Sequence, residues 1–145
     1  MRNLKRAGMA RADLKKVYET ILRPVLDFAS ATYHPLLNVK LTAELEALQK
    51  RAAKIIYGVH RSYSDVIESG DLELLETRRH RLCINFAKKS VANPKFATRW
   101  FPLKSQSTYN TRRPDLYIEE KPKTERFKHN PVTFMRSQLN TLNKL

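Results

Sequence analysis

Glu44-Leu45-Glu46-Ala47-Leu48-Gln49-Lys50-Arg51-Ala52-Ala53-Lys54-Ile55-Ile56-Tyr57-Gly58 reads as an amphipathic helix with a basic face. Leu41, Leu45, Leu48, Ala52 and Ile55 fall at three- and four-residue steps and form a narrow apolar seam. Thr42 suits a helix cap ahead of the carboxylates Glu44 and Glu46, which favour the positive end of the helix dipole. Gly58 suits the stop. Across residues 59–74 lies a second phrase of the same kind, Leu75-Glu76-Thr77-Arg78-Arg79-His80-Arg81-Leu82-Cys83-Ile84-Asn85-Phe86-Ala87-Lys88-Lys89. It predicts a longer helix over about residues 72–91, closed by Asn93-Pro94.

Outward from these two phrases the helical pattern continues. Leu14, Val17, Tyr18, Ile21, Leu22, Val25 and Leu26 share one face of a helix that begins near Arg11, with Lys15, Lys16, Glu19 and Arg23 mostly on the other. Pro24 kinks that helix or starts a new turn, because it lacks a donor and crowds the carbonyl four residues back. Residues 30–40, with Pro35, read as a turn, and Ser62 or Ser64 caps a short helix through Val66 and Ile67 that Gly70 ends. Leu22, Leu48 and Leu82 are expected in the core. After Pro94, Trp100-Phe101-Pro102 reads as an aromatic anchor, residues 104–130 show no sustained period, and Pro131 opens a closing helix with Val132, Met135, Leu139 and Leu142 at helical spacing. The expected class is all-α, a small helical bundle: residues 1–97 a helical domain, 98–130 a basic connector, 131–145 a closing helix.

Composition bounds the partners. The 145 residues carry 28 Lys and Arg against 14 Asp and Glu, a formal net charge of +14, spread over both parts of the chain rather than confined to a tail. Such a field attracts any polyanion and points first to nucleic acid, then to an acidic membrane surface. The single cysteine, Cys83, excludes an internal disulfide and a cysteine-rich zinc site, and His34, His60, His80 and His129 show no close ligand spacing. No metal or cofactor is implied. A reducing compartment, no membrane span and no apolar signal core lead to a nuclear or cytoplasmic expectation.

The residues that carry binding chemistry are basic. Lys50, Arg51 and Lys54 lie off the leucine seam and suit either a phosphate backbone or an ordinary solvated face; Glu46 stands four residues before Lys50, while Arg51 and Lys54 lack such a partner. Arg79 falls on the stripe of Leu75, Leu82, Cys83 and Phe86, where an unpaired guanidinium is costly, so it reads as a structural arginine tied to a carboxylate or to helix-end carbonyls. Arg78, Arg81, Lys88 and Lys89 are the freer candidates for phosphate contacts, which position a nucleic acid without reading its sequence. Arg112, Arg113, Lys121, Lys123, Arg126 and Lys128 interleave with Tyr109, Tyr117 and Phe127, a mixture that suits single-strand stacking or an arm whose aromatics anchor it to the body. Cys83 reads as core and His80 as a surface residue, since no nucleophile constellation accompanies it.

Together with Leu4-Lys5-Arg6-Ala7-Gly8-Met9 and Leu22-Arg23-Pro24-Val25-Leu26-Asp27-Phe28-Ala29, the two basic phrases resemble the segment after the polymerase core in reverse transcriptases of non-LTR retrotransposons, jockey-like and LINE-like. The resemblance keeps order and spacing over residues 4–89 and extends loosely through Trp100-Phe101-Pro102, Arg112-Arg113-Pro114, Thr124-Glu125-Arg126-Phe127 and residues 131–142. It implies a post-palm, thumb-adjacent piece whose basic helices hold template RNA or target DNA, and a missing polymerase domain of the parent element as a partner. The family's metal-binding pair of adjacent aspartates is absent: the nearest string is Asp27-Phe28-Ala29-Ser30, and no Asp-Asp occurs. A catalytically inactive fragment with non-specific RNA or DNA backbone binding is therefore expected. The alternatives are a helical docking module without a nucleic-acid role and a helix-turn-helix DNA-binding protein, the latter disfavoured because no short turn joins two such helices.

Overall fold

The computed structural model describes residues 1–104, 116–121 and 123–143. The chain is all-α; among the described residues the only β pairing is an isolated antiparallel bridge between Leu103 and Tyr117. It divides into two compact units, Met1–Ser30 with Leu37–Arg79, and Ala31–Leu36 with His80–Leu145.

The first unit begins with α1 (Arg2–Arg6) and α2 (Arg11–Val17). The helix predicted to kink at Pro24 does so by widening: Tyr18–Leu22 forms a π turn in which the Arg23 N–H reaches back five residues to the Tyr18 carbonyl, and α3 (Arg23–Asp27) follows. A wider turn relieves the crowding that a proline ring imposes on the carbonyl four residues earlier. The turn expected over residues 30–40 is instead helical, with α4 (Ser30–Tyr33) and a 3-10 turn at His34–Leu36.

The long helix α5 (Val39–Tyr57) starts earlier than the sequence predicts, because Asn38 rather than Thr42 caps it, its side chain accepting from the Leu41 N–H at 2.8 Å. It ends at Gly58, whose φ of 86° is accessible to glycine at little cost. Its buried face is Gln49, Ala52, Ala53, Ile56 and Tyr57, rotated away from the leucine seam; Leu48 is 46% exposed and Leu41 43%. Leu22 is likewise exposed, and Leu82 only half-buried, so these three are not the core.

What wins the core face of α5 is a satisfied polar network plus small residues. Gln49 is fully buried: its Oε1 accepts from Tyr18 at 2.5 Å, and its Nε2 donates to the Tyr63 hydroxyl at 2.8 Å and the Glu73 carbonyl at 2.7 Å. Tyr63 in turn donates to Glu46, whose other oxygen accepts the Leu75 N–H at 3.2 Å. Around this network Leu14, Tyr18, Ala52, Ala53, Ile56, Tyr57, Val66 and Leu72 pack as one cluster. A buried amide with all its bonds made is tolerated where an unpaired one would not be. The short helix α6 (Tyr63–Glu68) carries the expected start, with Ser62 and Asp65 forming a capping box.

The remaining long helix, α7 (Leu75–Ala92), contributes Leu75 to the first unit at complete burial. Arg79 also has no exposed surface, as its place on the apolar stripe predicts, but the expected carboxylate or carbonyl tie is missing: Nε, Nη1 and Nη2 have no hydrogen-bond partner among the described residues.

In the second unit Ala87, Phe101, Tyr117, Met135 and Leu139 form the core, with Ala31, Val91, Trp100 and Phe134 packed against it. Two short helices the sequence did not predict, α8 (Pro94–Trp100) and α9 (Glu125–Lys128), precede α10 (Pro131–Asn143). The segment around Tyr117 is held by polar side chains of α10. Asn140 accepts from the Tyr117 N–H at 2.9 Å and donates to its carbonyl at 3.0 Å, and Arg136 donates to the Trp100 carbonyl at 2.6 Å. Tyr117 thus anchors the connector, while residues 105–115, including Tyr109, lie outside the described residues. His80 is not a free surface side chain: it is half-buried and meets His34 and Phe134 edge-on, with ring centroids 5.8 and 5.7 Å away.

Candidate nucleic-acid interface

Lys50 and Lys54 stand one turn apart on α5, on the side that Gln49, Ala53 and Ile56 leave toward solvent. Gly58 reverses the chain, and the loop that follows returns Arg61 and Ser62 toward them. The result is a hollow of about 300 Å³ lined by Lys50, Lys54 and Arg61 together with Ala53, Gly58, Val59, Ser62, Tyr63 and Val66. No carboxylate lines it. A larger hollow on the other side of Lys50 and Tyr63, about 520 Å³, includes Glu46 and Glu68 and is therefore a poorer seat for an anion.

The three cations are placed differently. Lys50 Nζ lies 5.4 Å from the centroid of the Tyr63 ring, a cation–π arrangement that orients the ammonium without neutralising it. Arg61 is fixed by Asp71 at 2.8 Å and Ser69 at 2.7 Å, and its guanidinium lies 5.2 Å from the Tyr57 ring centroid. The hydrogen bonds from Arg61 and Ser69 hold the Asp71 carboxyl below its ordinary value. Lys54 is exposed at the end of the helix. Burial raises the Tyr63 hydroxyl well above its ordinary value, with the bond to Glu46 adding to it, so the wall beneath Lys50 is neutral across the physiological range.

The other sequence-predicted residues separate. Arg51 is exposed but does not line the hollow. Arg78 is not free for phosphate: its Nε donates to Asp27 at 2.6 Å and an Nη lies 3.7 Å from Glu73. Burial opposes its charge, but the bond to Asp27 and the neighbouring carboxylates outweigh that, holding the guanidinium above its ordinary value. Arg81, Lys88 and Lys89 are exposed on the part of α7 that belongs to the second unit. Arg112 and Arg113 lie outside the described residues.

Residues the sequence reading missed are Arg61, which sits between the two basic phrases and reaches the hollow only through the reversal at Gly58, and Lys95, Phe96 and Arg99 on α8. A signal for the last group is present: no aspartate or glutamate occurs between Glu76 and Asp115, so α7 past its first turn and all of α8 carry only positive charge. Among the described residues no group of three or more His, Cys, Asp or Glu side chains is placed to hold a metal ion, and no helix is long and apolar enough to cross a membrane. Compared with family models, curated proteins and solved structures, the chain has no significant match.

Proposed function

We propose that this chain is a catalytically inactive, retroelement-derived module that holds the sugar-phosphate backbone of RNA or DNA without reading its sequence, in the nucleus or cytoplasm. The observation that carries the binding is the hollow with Lys50 and Lys54 on its wall and no carboxylate in its lining, on a chain of net charge +14; Arg61, paired with Asp71, shapes the hollow rather than adding free charge. The retroelement origin rests on the resemblance of the two basic phrases and the segments before them, and the lack of an Asp-Asp pair removes the family's metal-dependent chemistry. Each phosphate neutralised releases condensed counterions, so affinity should fall steeply with salt.

The test is fluorescence anisotropy with labelled duplex and single-stranded oligonucleotides across a salt series. The double reversal Lys50→Glu with Lys54→Glu should weaken binding and flatten the salt slope by about 2, one unit per lost phosphate contact. Reversing the exposed pair Arg11 and Lys16 changes the net charge equally and should have a much smaller effect. Equal losses from the two pairs would reduce the interaction to net charge and overturn the site.

A second reading, a docking module for a polymerase domain, is favoured by one observation. Ile21, Val25, Phe28, Leu41 and Leu48 of the first unit are exposed, Phe28 to 79%.

A further inference from the structure

Phe96 and Trp100 stand one turn apart on α8 and stack on each other, with ring centroids 4.6 Å apart and planes at 26°. Trp100 packs against the buried cluster of the second unit, whereas Phe96 is 40% exposed, so Phe96 is the outer layer of the stack. Pro94 and the Asn93 cap fix the start of this helix in the turn that carries Phe96; Asn93 Oδ1 accepts from the Lys95 N–H at 3.1 Å. One position ahead of each aromatic stands a cation, Lys95 before Phe96 and Arg99 before Trp100. The helical advance therefore sets a row of two positive charges beside the row of two rings. Both cations are exposed, and no acidic residue occurs in this helix.

We infer that α8 is a stacking platform for the unpaired bases of a single-stranded nucleic acid, a base lying on the Phe96 ring while Lys95 and Arg99 meet the flanking phosphates. This rests on the nucleic-acid reading and narrows it. A duplex hides its base faces inside its own stack and offers only phosphates, so the aromatic pair gives no advantage on duplex. On a single strand every base has an open face, and stacking on an aromatic ring is tolerant of sequence. An exposed aromatic on its own is common; a stacked pair backed by the core and flanked by cations meets both demands of single-strand binding at once.

Trp100 is the only tryptophan in the chain, so its emission reports this site alone. The full chain is titrated at low salt with oligo(dT) and oligo(rU), with a mixed-sequence duplex, and with polyphosphate, which carries charge but no bases. The single strands should quench Trp100 saturably, while duplex and polyphosphate bind without quenching. Phe96→Ala should lower single-strand affinity roughly 5- to 150-fold and leave duplex affinity unchanged, and Phe96→Tyr should retain most of it. Quenching by DNA alone or by RNA alone would name the strand chemistry and support the platform. Single strands that bind without quenching, or polyphosphate that quenches as well as they do, would overturn the platform while leaving the phosphate-binding proposal standing. Failure of every polyanion to bind would overturn both. Should Phe96→Ala lose its helical circular dichroism, the wild-type quenching comparison still decides.

Discussion

Replacing Arg79 with methionine should stabilise this protein. The side chain has no exposed surface and its three guanidinium nitrogens find no acceptor among the described residues, so the guanidinium is buried without a hydrogen bond to any described group. An uncompensated buried ion costs several kcal/mol even after relaxation, and exchanging buried ionic groups for apolar ones of similar volume is often stabilising by about 1–4 kcal/mol. Methionine fits the same stripe beside Leu75 and Cys83, both fully buried, and its unbranched chain adapts to irregular space. It is shorter by about three heavy atoms; a residual void of roughly 50 Å³ at about 24 cal/mol per Å³ returns about 1 kcal/mol.

The net gain is on the order of 1–3 kcal/mol, which for a chain of this size corresponds to a rise in Tm of about 3–10 °C. Thermal melts followed by circular dichroism at 222 nm, with urea titrations as a second measure, decide the sign. Arg79→Lys keeps the charge and should bring no gain. A fall of several degrees in Arg79→Met would mean that the guanidinium is bonded in solution, and the reasoning from its missing acceptors would be refuted.

Burial also sets the scale for aliphatic truncations: Leu14→Ala should cost about 2–5 kcal/mol, whereas Leu48→Ala, at a site 46% exposed, should cost under about 1 kcal/mol in the same urea titration. Tyr18 and Tyr63 are both raised by burial above the ordinary value of 10.0, so the stability held in their neutral forms is complete below pH 10 and is lost as pH climbs beyond it. Tyr57 is raised by burial as well, so absorbance at 295 nm should show Tyr18, Tyr57 and Tyr63 ionising only as the helical signal collapses; ionisation of these three near pH 10 with the helical signal intact would contradict this. Asp71 is lowered from 3.8, which places its contribution above that pH and removes it as acid takes the carboxyl through its folded value. Asp71→Asn should therefore be less stable than wild type at pH 7, with the difference shrinking as acid protonates the carboxyl, and a difference that does not shrink as pH falls below 3.8 would assign the effect to something other than the carboxylate charge.

The all-α class and several element boundaries could be read from single residues with strong local preferences. Ser62, Gly58 and Pro131 each impose a backbone demand that acts within one turn, so the starts of α6 and α10 and the end of α5 follow from the sequence. The faces could not be read in the same way. Hydropathy ranks Leu41, Leu45 and Leu48 above Gln49 and Ala53, but Gln49 is bonded by Tyr18, Tyr63 and the Glu73 carbonyl, partners 14 to 31 residues away. Once its bonds are made the amide costs little to bury, and the small Ala52 and Ala53 let the neighbouring elements approach, so the helix turns Leu41 and Leu48 outward and leaves Leu45 half-buried. Arg78 fails for the same reason: its partner Asp27 lies 51 residues away, a distance no local pattern encodes. Lys50 and Lys54 were legible as solvent-facing cations because the i, i+4 step alone places them together; Arg61 was not, because its place depends on the path of the chain after Gly58.

The outward Leu41 and Leu48 and the lysines of the carboxylate-free hollow belong to one helix, and they call for opposite physics. A contact through Leu41 and Leu48 removes apolar area from water, at about 25 cal/mol per Å², and is strengthened by salts that are excluded from the protein surface. A contact through Lys50 and Lys54 is driven by counterion release and screening, and weakens with any salt. The direction of a salt series therefore separates the two roles of α5 without knowledge of the partner. The Lys50 and Lys54 reversals should abolish only the salt-weakened component, and Leu41→Ser with Leu48→Ser only the salt-strengthened one. Both residues of the second pair are exposed, so the substitutions leave the core cluster of the first unit untouched, and a loss seen with them is a loss of surface rather than of fold.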